Sequence, residues 1–222
     1  MNTIYVAGVG PGDPSYLTAQ AMRLISEADV VAGFNLPLET AAGHIKGKQV
    51  LLTYKNQEEE LAKLAQRAAA GKRCVVCAQG DASFSGRELI DRVRAVWPQV
   101  EVVPGVSSVQ VVCARTGLEM ERALFLTFHK RGDTEPDRRE LIAAALEGRR
   151  DVIALPRPWD FMPAAMAQLL LDEGVPPERP AVVYQRLTLP GEQVDEGKLG
   201  DLARCTGEFS DLSIVLLRRS SL

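Results

Sequence analysis

Short apolar runs alternate along the chain with longer stretches whose apolar residues recur at helical spacing. Residues 4–9 form an apolar run that stops at glycines, as a strand covered on both faces does. Residues 15–28 carry apolar side chains three and four apart behind Pro14, a residue suited to a helix start, and predict a helix. Residues 30–32 and 48–53 predict two further strands. A polar-faced helix is expected over 56–70, with Asn56 as N-cap, Glu59 completing a capping box and Gly71 ending it. There follow a strand at 73–78, a loop at 80–86, a helix at 87–96, a strand at 100–103 stopped by Pro104 and Gly105, and a helix at 107–116 closed by Gly117. Such alternation predicts a parallel sheet with helices on its faces.

Around residues 117–122 the pattern restarts. Strands are predicted at 123–128, 152–155 and 181–186, and helices at 137–146 and 159–171. Residues 191–197 and 212–217 predict an antiparallel pair around a short helical turn. The second half is richer in proline and in hairpin-like turns. The expected fold is therefore α/β in two domains, 1–117 with a mainly parallel sheet and 118–222 with a mixed one.

Composition narrows the function. The 222 residues are 46% hydrophobic and 25% charged, enough to bury a core without staples. Lys and Arg number 26 against 29 Asp and Glu, a net charge of −3 that argues against a generally basic nucleic-acid binder. The acidic excess lies in residues 118–222. No apolar run is long enough for a membrane span, and the first residues lack the basic start and apolar stretch of a signal peptide, so the cytoplasm is the expected compartment. Cys74 and Cys77 have the spacing of a redox or metal pair. They sit in a predicted strand, where their sulfurs point to opposite faces, and no second pair or His cluster completes a zinc set. They read as core residues, and no metal is expected.

Three small-residue loops carry the candidate chemistry, each at the carboxyl end of a predicted strand. Residues 8–14 read GVGPGDP. Glycines there let backbone approach a ligand closely. Asp13 occupies the place where a dinucleotide fingerprint needs its third glycine, and no Gly-Lys-Ser/Thr follows as in a phosphate-binding loop. Residues 78–86 read AQGDASFSG, where Asp81 is either a helix cap or an acceptor for a ribose or amine. Pro104 and Gly105 make a tight turn, after which Ser107 and Ser108 open a helix whose N–H groups can hold an acceptor. Taken singly, each is also an ordinary strand-to-helix connection. Among basic clusters, His129-Lys130-Arg131 is the one at a predicted strand end, where ligands sit in α/β folds.

Together, these loops resemble those of the tetrapyrrole methylase family, S-adenosylmethionine-dependent enzymes of corrin and sirohaem biosynthesis. Residues 8–14 resemble its GxGPGD loop, followed by Leu17 and Thr18. Residues 78–86 resemble its Gly-Asp-Pro loop, with Ala82 in place of the proline. Residues 104–117, PGVSSVQVVCARTG, are most similar to the subgroup that methylates C5 of precorrins, as are Thr127-Phe128-His129 and the helix through Pro163 and Met166. Leu155-Pro156-Arg157-Pro158 departs from that subgroup's more polar turn.

The resemblance implies a homodimeric enzyme of two α/β domains with its site in the interdomain cleft. It implies cofactor contacts at Pro11, Gly80, Asp81, Phe84, Ser107 and Ser108, and in the second domain at Leu155 and Arg186. The implied partner is a cobalt-precorrin or precorrin. The sulfonium methyl is already activated, so the protein mainly aligns donor and acceptor carbon. Asp13 and His129 are the candidate bases for the later proton loss, and Lys130, Arg131 and Arg157 the candidate partners of the substrate's carboxylates. Methylation at C11 or C1/C7, diphthine synthesis, and a non-catalytic cofactor-binding module are the competing readings.

Overall fold

The computed structural model describes residues 2–220. It divides into two compact units, Met1–Ser108 and Val109–Leu222. The division falls at the head of the helix α5 (Ser108–Thr116), ahead of Gly117, so that helix packs as part of the second unit.

In the first unit β1 (Ile4–Gly8), β2 (Val30–Gly33), β3 (Lys48–Leu51), β4 (Cys74–Ala78) and β5 (Val100–Val103) form one sheet in the order β3-β2-β4-β1-β5. Every pairing is parallel. Its helices are α1 (Ala19–Glu27), α2 (Asn35–Ala41), α3 (Gln57–Ala69) and α4 (Arg87–Val96). One apolar layer joins Ile4, Val6, Ala32 and Val76 to Leu61 and Leu64 of α3 and Val93 of α4. The other joins Ala7, Val31 and Val75 to Ala21 and Ile25 of α1 and Leu38 of α2. Side chains alternate along a strand, so Cys74 falls in the first layer and Cys77 in the second. Burial pushes the Cys74 thiol up to about 11 and the Cys77 thiol to about 12.

Local chemistry departs from the expected elements in three places here. The helix expected over 15–28 is broken. Pro14–Tyr16 forms a single 3-10 turn, Leu17 is extended, and α1 starts only after Thr18, whose hydroxyl accepts from the Ala21 N–H at 3.2 Å. The capping box at Asn56 does not form. The Asn56 side chain turns back to accept from the Thr53 N–H at 2.7 Å and to donate to the Leu51 carbonyl at 3.1 Å, while Glu59 pairs with Lys63. Helix α2 has no counterpart in the sequence reading. Its Pro37 lies in the first turn, where the missing N–H costs nothing.

The second unit holds β6 (Ala123–Thr127), β7 (Asp151–Leu155), β8 (Pro180–Gln185), β9 (Gln193–Lys198) and β10 (Ser213–Leu217), ordered β6-β7-β10-β8-β9. β6 and β7 are parallel, while β10 runs antiparallel to both β7 and β8. The last two strands do not pair with each other as expected. Both pair with β8 and lie on either side of it. Helices α6 (Glu135–Glu147), α7 (Pro163–Asp172) and α8 (Leu199–Ala203) complete the unit. Leu141, Met166, Leu170 and Leu199 from these helices pack on Val152, Ala154, Val183 and Val215 of the sheet. Helix α7 begins at Pro163, not at 159, because residues 156–161 close a turn in which Arg157 and Phe161 pair through both backbone N–H groups, at 3.1 and 3.0 Å. No helix among the described residues is long and apolar enough to cross a membrane.

Candidate functional site

The strands β4, β1 and β5 are neighbours and parallel, so the three small-residue loops leave the same edge of the sheet side by side. They meet as bare backbone. Gly10 and Gly80 exchange hydrogen bonds of 3.2 and 2.8 Å. A Cβ on Gly8 would stand 2.6 Å from the Gly80 carbonyl oxygen and 2.7 Å from the Gly105 nitrogen. A Cβ on Gly105 would stand 2.4 Å from that same oxygen. Only glycine permits this triple approach. Gly80 itself has φ +63, and a Cβ there would meet nothing nearer than the Ser107 Cα at 3.7 Å.

Side chains behind the loops hold them in place. Gln79 Nε2 donates to the carbonyls of Gly10 and Pro11 at 3.2 and 2.5 Å. Buried Thr40, from α2, shares its hydroxyl proton between the Leu36 carbonyl at 2.9 Å and the Gly12 carbonyl at 3.2 Å. Asp81 Oδ1 accepts from the Ser83 N–H at 2.7 Å, and the Phe84 N–H donates to the Asp81 carbonyl at 3.0 Å, which winds this loop into a tight turn. Asp13 caps the 3-10 turn by accepting from the Ser15 N–H at 2.8 Å, and that hydrogen bond lowers its pKa. Pro11, Gly80 and Ser107 are buried, whereas Asp81, Phe84 and Ser108 are half-buried at the loop surfaces. The structure thus gathers all six expected cofactor residues of this unit at one sheet edge. Gln79 and Thr40 were missed as loop supports. Gln79 lies inside the 78–86 loop with no signal of its own, and Thr40 sits on α2, which the hydrophobic pattern does not predict.

In the second unit, β6, β7 and β8 all end at one edge, since β10 is antiparallel to both β7 and β8. Leu155 ends β7, and its carbonyl accepts from the Phe128 N–H at 2.8 Å. His129 and Arg131 are exposed on the segment after β6, and Lys130 pairs with Asp137 at 2.7 Å. Arg157 is buried and spent internally. Its Nε and one terminal nitrogen donate to the two carboxylate oxygens of Asp160 at 2.5 and 2.7 Å, and the other donates to the Gly132 carbonyl at 3.1 Å. Arg186 follows β8 with φ +53, and its guanidinium donates to the Pro190 carbonyl at 3.3 and 3.2 Å. The structure therefore brings Leu155, His129, Lys130, Arg131 and Arg157 together on adjoining turns and places Arg186 two strands away from β7 in the sheet order. No group of three or more His, Cys, Asp or Glu among the described residues is placed to hold a metal ion.

The family description "Tetrapyrrole (Corrin/Porphyrin) Methylases" matches residues 3–203. The chain belongs to this family. It is therefore an S-adenosylmethionine-dependent methyltransferase. It is 29% identical to the probable cobalt-precorrin-7 C(5)-methyltransferase of Methanocaldococcus jannaschii, over 95% of each chain. It is 34% identical to the diphthine synthase of Pyrobaculum calidifontis, over 96% of this chain and 92% of that one. Uroporphyrin-III C-methyl transferase from Thermus thermophilus, solved with S-adenyl homocysteine, superposes with a TM-score of 0.74 at 26% identity, covering 98% of this chain and 92% of that one. The chain spans about half the length of the siroheme synthases it also matches.

The first unit's loops fit the family's cofactor. They combine backbone without side chains at Gly8, Gly80 and Gly105, the side chains of Ser107 and Ser108, and a carboxylate at Asp81. When bound, S-adenosylmethionine supplies a sulfonium methyl that needs no further activation.

Proposed function

We propose that this methyltransferase acts on C5 of cobalt-precorrin-7 or its metal-free equivalent. The observation that carries this reading is the likeness to the M. jannaschii protein along 95% of both chains, with residues 104–117 in the form that resembles the C5 subgroup. In this reading Pro11, Gly80, Asp81, Phe84, Ser107 and Ser108 hold the cofactor. The protein's task is orientation, since positioning the acceptor carbon in line with the methyl supplies most of what the reaction needs. Arg131, and Lys130 in exchange for its half-exposed Asp137 pairing, bind the substrate's carboxylates by charge-assisted hydrogen bonds. Arg157 takes no direct part, because Asp160 and Gly132 occupy its guanidinium. Of the two candidate bases His129 is preferred. The Ser15 N–H holds the Asp13 carboxyl below the usual carboxylate range, which makes Asp13 a poor proton acceptor. The working unit is a homodimer.

A second reading has its own support in the 34% identity to a diphthine synthase, whose name implies a protein-borne acceptor. One experiment separates the two. The protein is incubated with S-adenosylmethionine and either cobalt-precorrin-7, precorrin-6B or elongation factor 2, and the methylated atom is located by mass spectrometry and NMR. The C5 reading requires transfer to C5 of a corrin precursor. Transfer to another ring carbon, or to the protein alone, refutes it.

A further inference from the structure

Trp159 is 60% exposed, on a turn closed by hydrogen bonds. It sits on the 156–161 turn at the carboxyl edge of β7, a turn closed by the paired backbones of Arg157 and Phe161. The Arg157 guanidinium lies 5.7 Å from the indole centroid and is only 9% exposed as a residue. Since Asp160 and Gly132 take up all three of its nitrogens, this cation is a fixed support for the ring. The His129 ring meets the indole at 6.4 Å and 70°. Trp97 shows the ordinary fate of the residue, 8% exposed with its N–H donating to the Asn2 carbonyl at 2.8 Å. An indole kept in water forgoes the burial that stabilises most tryptophans. It stands at the carboxyl edge of β7, and the parallel neighbour β6 leads at the same edge into a segment with exposed Arg131 and the Lys130–Asp137 pair. A ligand with a broad unsaturated face and an anionic rim matches this arrangement in both shape and charge.

We propose that Trp159 is a stacking surface for the tetrapyrrole ring, and that Arg157 is the positioning residue that holds it. The inference rests on the tetrapyrrole part of the function proposed above and not on the ring carbon methylated. It also gives a role to the segment where the sequence departs from the C5 subgroup's polar turn.

The test uses full-length protein and cobalt-precorrin-7 without S-adenosylmethionine, with binding followed by the ligand's own absorbance. Trp159→Ala is expected to bind the ring about ten-fold more weakly, the scale of one lost aromatic stacking contact, and Trp159→Phe within about two-fold of wild type. Calorimetric affinity for S-adenosylmethionine stays unchanged in both variants. In turnover, KM for the ring rises while kcat holds. Equal ring affinity in Trp159→Ala overturns the proposal. So does a parallel loss of cofactor affinity, which marks a merely structural residue, or a change in oligomeric mass, which marks a contact between copies. Wild-type protein that binds the ring but does not methylate C5 refutes the ring-position reading and leaves the stacking surface standing.

Discussion

Gly105 is the residue on which the loop geometry turns most sharply. Its hydrogen stands where a methyl would lie 2.4 Å from the Gly80 oxygen, and both neighbours there are backbone, which cannot swing aside. Gly105→Ala should therefore force the β1, β4 and β5 loops apart, cost about 1–3 kcal/mol of stability, and weaken S-adenosylmethionine binding at least ten-fold, checked by denaturation and calorimetry. Asp81→Ala removes both the turn's Ser83 hydrogen bond and the carboxylate offered to the cofactor. Calorimetry should show weaker S-adenosylmethionine binding, and an unchanged affinity would remove Asp81 from the site. At Asp13 the sign of the pH effect is fixed by hydrogen bonding. The folded pKa is lowered, so the cap stabilises fully above the ordinary aspartate value and is lost as pH falls through the folded one. Thermal midpoints should then decline below about pH 4, and less steeply in Asp13→Asn. If His129 is the base, His129→Ala lowers kcat and Asp13→Asn does not.

At the scale of elements, turns and caps shaped the site as much as strands and helices did. Strand positions were legible because apolar runs with two covered faces have few other readings. Helix starts were less so. The Asn56 amide bonds to Thr53 and Leu51 behind it and not to its helix, and the Pro14 turn uses a different cap from the helix behind it. The helix expected from 159 took in the end of the turn after β7, which the paired backbones of Arg157 and Phe161 and the Arg157–Asp160 ion pair close. Removing the Arg157 guanidinium strands a carboxylate and a carbonyl. Since Asp160 is nearly half exposed, water recovers part of the loss, and Arg157→Leu should cost about 2 kcal/mol in urea unfolding. Helix α2 escaped notice because it is short and contains proline, and with it went Thr40, which ties α2 to the first loop.

For the molecule as a whole, burial divides its thiols. Cys74, Cys77 and Cys113 are buried with raised pKa values, while Cys205 is exposed. A disulfide-exchange reagent at pH 8 should therefore titrate one thiol rapidly in native protein and four in denaturant, because the thiolate is the reacting form. What the linear chain determined by itself was the strand-helix rhythm, the two faces on which Cys74 and Cys77 lie, and the order of glycine-rich loops that carries the family resemblance. These depend on spacing between near neighbours, which any strand or helix preserves. Only the tertiary structure decided that β8 separates β9 from β10, that Gly8, Gly80 and Gly105 touch, and that Arg157 is buried beneath Trp159 and closed to substrate. Each joins residues far apart in the chain or depends on which of several polar partners lies nearest, and packing alone makes that choice.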